Sequence, residues 1–113
     1  MIELIDENET YVLEHPSGSK FTFRYWTRGM QDEVDTRCLV SEGGGKFRFN
    51  VPLERELKVH HCLVGWEGVS FKGEIAPCND ENKKKLPLSI FLWIIEKIDE
   101  RAGVRLPEEE KKN

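Results

Sequence analysis

The sequence predicts an α+β fold: a small antiparallel sheet with two to four helices packed on it. Three stretches carry that reading. Residues 20–26 (KFTFRYW) alternate strictly after the turn formers Pro16, Ser17 and Gly18, which describes the second strand of a hairpin. Residues 46–51 (KFRFNV) alternate again after the glycine-rich run 41–45. From residue 88 to 102, Phe91, Ile94, Ile95 and Ile98 form one stripe opposite Glu96, Lys97, Glu100 and Arg101, the pattern of a helix with one buried face.

The 113 residues fit one domain, expected over 1–105 with a charged tail at 106–113, and a chain of this size has enough surface to bury for a real core. Charged residues make up 34% of it, which suits a thin two-layer structure with much solvated face. No apolar run approaches the roughly 20 residues of a membrane span. The start, MIELIDENET, lacks the basic and apolar regions of a secretory leader. Three cysteines at wide spacing, with no CxxC pair, argue against a disulfide framework. A cytoplasmic protein is expected. The net charge of -4 argues against nucleic acid, because phosphate binding needs concentrated positive charge.

In chain order, residues 1–5 read as a short extended segment with Ile2 and Leu4 on one side, and residues 11–15 as a strand. The 16–18 turn and the strand that follows place Phe21, Phe23 and Tyr25 on the inner face. Thr27 suits the N-cap of a helix to about Leu39, with Met30, Val34 and Cys38 inward and Asp32 and Glu33 near its positive end. The 41–45 loop then leads to the strand carrying Phe47, Phe49 and Val51. Residues 53–64 fit either period: Leu57, Val59, His61 and Leu63 suit a strand, while Leu53, Leu57, His61 and Val64 suit a helix. A helix starting after Asn50 or Pro52 is favoured. Residues 69–75 read as a small hairpin or an extended link around Lys72 and Gly73. Asn79 caps a short helical turn, Pro87 opens the last helix, and Gly103 closes it.

Candidate chemistry is sparse. His60 and His61 are adjacent, so their side chains diverge and cannot easily share one ion, and neither a CxxC nor an HxxxH spacing completes a metal site. A thiol nucleophile built from Cys38 and His61 has no local feature that would lower the thiol pKa. Gly43, Gly44 and Gly45 lack the spacing of a phosphate loop, and Lys83, Lys84 and Lys85 read as a solvated helix face. No catalytic, cofactor or metal residue is assigned. Apolar surplus is the remaining signal. Trp26, Trp66 and Trp93, with Phe91 and Leu92, exceed what one helix stripe buries on one sheet face, and an exposed patch there would mark a protein partner or self-association.

One longer pattern has a likeness. Residues 66–69 (WEGV), a glycine-containing turn, 77–82 (PCNDEN), Leu86-Pro87, the amphipathic helix and the closing KKN resemble small proteins of tailed bacteriophages and prophages, and are similar to tail assembly chaperones. Residues 21–37 (FTFRYWTRGMQDEVDTR) resemble that group's strand and polar helix. The likeness runs over residues 21–103. It implies a protein of the bacterial host cytoplasm that associates with the tape-measure or tail tube protein during tail building and is not part of the finished particle. It implies no active site. On that reading Trp66, Phe91, Trp93 and Ile94 would be the partner-binding anchors, in a helix-in-groove contact, and a homo-oligomer is compatible with it. The alternatives are a structural tail completion or connector component, and a small metal or thiol enzyme using His60, His61 and the cysteines.

Overall fold

The computed structural model describes residues 1–102, and they form an α+β fold with four helices and small antiparallel sheets. Strands β1 (Thr10–Glu14) and β2 (Lys20–Arg24) make the expected hairpin. The His15 N–H donates to Ser19 O at 2.8 Å, and Gly18 sits at φ 95°, where a side chain would be strained. Phe21 and Phe23 are buried, as their alternation requires.

A third strand lies on the far side of β2. Residues Leu63–Glu67 pair antiparallel with β2, setting Phe21 opposite Trp66 and Phe23 opposite Leu63. Sequence periodicity predicts a helix toward Val64 and no strand here. A five-residue segment with a glycine at its centre has weak local preference, and its strand identity comes from pairing with β2, more than forty residues upstream.

Helix α1 (Arg28–Cys38) follows the sheet hairpin, and the Thr27 hydroxyl oxygen accepts from the Met30 N–H at 3.2 Å. Val34 and Cys38 are buried. Asp32 and Glu33 do not serve the helix dipole as expected. The helix starts at Arg28 and its first turn holds no acid, so these two carboxylates lie past the free N–H groups and pair with Arg28 and Arg37 instead. The chain then forms a separate hairpin, β3 (Leu39–Gly43) and β4 (Lys46–Phe49), with Gly44 and Gly45 at its tip. Much of the expected 41–45 loop is therefore strand. Val51, expected at the end of a strand, opens a helix. Asn50 makes the switch: its side-chain oxygen accepts from the Leu53 N–H at 3.1 Å, and its own N–H reaches Cys38 O at 2.7 Å.

That helix, α2 (Val51–Cys62), settles the ambiguity of residues 53–64 as helix over most of its length and passes directly into the Leu63–Glu67 strand, here β5. A two-residue-strand hairpin follows, β6 (Ser70–Phe71) and β7 (Glu74–Ile75), turned by Lys72 and Gly73, both at positive φ. Helix α3 (Asp80–Lys83) is capped by Asn79, whose side chain accepts from the Asn82 N–H at 2.8 Å. Helix α4 (Leu88–Arg101) begins after Pro87.

One core joins these parts. Phe21, Phe23 and Leu63 from the sheet meet Val34 and Cys38 of α1, Leu57, Val59 and Cys62 of α2, and Ile94, Ile95 and Ile98 of α4. Trp93 rests on Phe21 with ring centroids 5.7 Å apart, and the Arg101 guanidinium covers Tyr11 at 4.8 Å, so α4 lies on the sheet as expected. Among the described residues, 1–5 join no sheet, and they are exposed. Gly103 and the charged tail expected at 106–113 fall outside the described residues. Among the described residues no helix is long and apolar enough to cross a membrane.

Candidate functional site

The four anchors suggested by sequence fall in different surroundings. Ile94 is fully buried in the core and offers nothing outward in this conformation. Trp93 is half-buried, with the His15 ring edge-on at 4.9 Å on one side and the Lys97 ammonium 5.7 Å from its ring. With Phe21, these contacts take up part of its apolar surface. Trp66 is also half-buried; its indole N–H donates to Ala76 O at 2.7 Å, which fastens β5 to the end of the β6–β7 hairpin. Phe91 lines an open groove.

That groove, about 720 Å³, lies between α2, the stretch around α3 and the first turns of α4. Leu53, Leu57 and Val59 form one wall and Leu86, Leu88 and Phe91 the other. Helical spacing explains the first wall, since residues four apart share a face. Leu53 and Leu57 were already on the helical stripe read from the sequence. Leu86 and Leu88 flank Pro87, where the chain turns into α4, and no periodicity marked them as a site.

Charged side chains rim the groove in pairs. Glu56 of α2 meets Lys84 at 3.2 Å, and His60 Nδ1 lies 2.8 Å from the Asp80 carboxylate. Lys83 donates to Val59 O and to Asp80, both at 3.4 Å. The hydrogen bond from His60 holds the Asp80 carboxyl below the usual aspartate range. Together these contacts clasp α3 against α2. The Glu56–Lys84 pair is exposed on both sides, and exposed pairs contribute little, so opening the groove there costs little.

His61 points the other way. Its Nε2 is 2.6 Å from Glu33 on α1. Partial desolvation pushes the Glu33 carboxyl up, but the hydrogen bond and charge of His61, then those of Arg37, outweigh it and the carboxyl is held low. Each histidine thus ties α2 to a different neighbour. All three cysteines are free thiols, and burial pushes each up, Cys62 to about 12. Such thiols stay protonated at neutral pH, which is the opposite of an activated nucleophile. Among the described residues no group of three or more His, Cys, Asp and Glu side chains is placed to hold a metal ion. What the groove can do is accept apolar side chains, with mixed charge at its edge to orient what enters.

Comparisons with protein-family models, with curated proteins and with solved structures find no match to this chain.

Proposed function

We propose that this protein is a tail assembly chaperone of a tailed phage or prophage, acting in the host cytoplasm, and that it holds an amphipathic helical segment of the tape-measure protein. The groove carries this reading. Its two apolar walls and paired-charge rim match the way a helix lays one face between two others, with apolar anchors at the centre and polar contacts outside. The sequence likeness supplies the partner. Phe91 is retained as an anchor, and Leu53 and Leu88 join it. The net charge of -4 and the carboxylates at the rim favour a protein partner over a phosphate backbone.

Co-expression with the tape-measure protein of the same genome tests the proposal. The tagged wild-type chain should retain its partner through purification. Leu88→Glu, at an exposed groove position, should release it while the melting temperature stays within a few degrees. Leu92→Glu, off the groove, should not release it. No retention by the wild type would overturn the reading.

A second reading is a structural component that remains in the particle as a connector. The projecting β3–β4 hairpin, with unpaired edges among the described residues, favours it, since open edges invite strand addition. Mass spectrometry of purified particles separates the two: the component is present in them and the chaperone is absent.

A further inference from the structure

Among the described residues the β3–β4 hairpin is a two-stranded sheet, and two strands are marginally stable alone in water. Its pairing sets Leu39 opposite Phe49 and Ser41 opposite Phe47, so Leu39, Phe47 and Phe49 share one face. That face is open: Phe47 is 62% exposed and Leu39 56%. On the outer edge, β4 reads Lys-Phe-Arg-Phe, basic and aromatic in alternation.

The same molecule carries a complement to this edge. Residues 1–5 (MIELI) lie free, with Ile2 94% and Leu4 89% exposed. In an extended segment Ile2 and Leu4 point to one side and Glu3 to the other. Set beside β4, Ile2 and Leu4 continue the Phe47–Phe49 face and Glu3 faces Lys46 and Arg48, of which Arg48 already pairs with Glu42 at 2.7 Å. The first nine residues hold Glu3, Asp6, Glu7 and Glu9 and no Lys or Arg. The opposite edge, β3, carries no Lys or Arg, so the charge favours β4. A turn at Asp6–Glu9, closed by the Glu9 N–H on Asp6 O at 3.1 Å and the Asn8 N–H on the Asp6 carboxylate at 2.9 Å, separates the segment from β1.

We propose that residues 2–5 of one copy add as a third strand to β4 of a second copy, so that the protein self-associates by arm exchange. The inference does not depend on the tail assembly reading. Donor and acceptor are different surfaces, so exchange closes either as a reciprocal dimer or as a ring.

Light scattering on the full chain across a wide concentration range tests this. Wild type should associate, and adding salt should weaken it because Glu3, Lys46 and Arg48 are exposed charges. Leu4→Asp and Phe47→Asp should each raise the dissociation constant by at least roughly tenfold, from the loss of one buried apolar side chain. Both substitutions are at exposed positions, so melting temperatures should hardly move. With Cys78→Ser as background, a mixture of Leu4→Cys and Phe47→Cys chains should form a disulfide between chains of the two kinds. A monomer at every concentration overturns the proposal. So does an oligomer unaffected by Leu4→Asp, or a double Leu4→Cys, Phe47→Cys chain that closes only on itself.

Discussion

Lys58 is a charged side chain within the core, 5% exposed, its ammonium 2.7 Å from Asp99 on α4 and 3.6 Å from Glu54 on its own helix. A buried ammonium is tolerable only when paired, and removing one partner leaves an uncompensated charge. Asp99→Asn should therefore cost about 2–4 kcal/mol in urea unfolding, somewhat below the usual range for a broken buried pair because Glu54 remains. Lys58→Met combined with Asp99→Leu should recover most of that loss, since an apolar pair of similar volume replaces the ions. A loss below about 0.5 kcal/mol for Asp99→Asn would place the pair among surface bridges instead. Sequence alone does not mark Lys58, because its partner lies 41 positions away and its neighbours Leu57 and Val59 look like any helix core. Thr27 and Asn79 were legible for the converse reason: a cap bonds to a backbone N–H three residues on. Ile94 shows the limit of a stripe, which says that a residue faces inward but not whether the inside is a core or a groove.

Elements held by local signals match the reading, and those made by distant pairing do not. The 16–18 turn, the start of α2 and the run into α4 follow from residues within one turn of each other. Strand β5 does not, since it needs the distant β2; β3 pairs locally with β4 across Gly44 and Gly45, and its Ser-Glu-Gly end reads as loop in the sequence. The groove inherits this division: its α2 wall was legible as periodicity, and its opposite wall depends on α3 being clasped to α2. That clasp has a pH signature. The Asp80 carboxyl is held below its ordinary value in the folded chain, so its contribution is complete above the unfolded value of roughly 4 and disappears as the pH falls through the lower folded value. Melting temperatures of wild type and Asp80→Asn should differ slightly at pH 6, because Asp80 is largely exposed, and should converge in acid. A gap that persists undiminished at pH 3 would refute the assignment.

For the whole molecule, the sheet, α1, α2 and α4 all contribute to one core cluster, which predicts a single cooperative transition. The three tryptophans sample it at separate places. Trp26 is buried and donates to Gln31 at 3.0 Å, Trp66 lies on β5, and Trp93 lies on α4. Tryptophan fluorescence and far-ultraviolet circular dichroism should give the same denaturant midpoint, and two separated midpoints would show that α4 or the sheet melts alone. The α+β class and the helix-on-sheet layering were readable from alternation and stripe. The sheet's third strand was not, and with it went the direct join between α2 and β5. At that join Cys62 ends the helix and Leu63 begins the strand with nothing between. One inserted residue would turn the strand's faces over relative to a helix that could not follow, since a strand repeats every two residues and a helix every 3.6. Chains that descend from a common ancestor with this one should then align without gaps from Asn50 to Glu67. Their differences in length should gather at Gly44–Gly45, whose open backbone has no neighbour to displace.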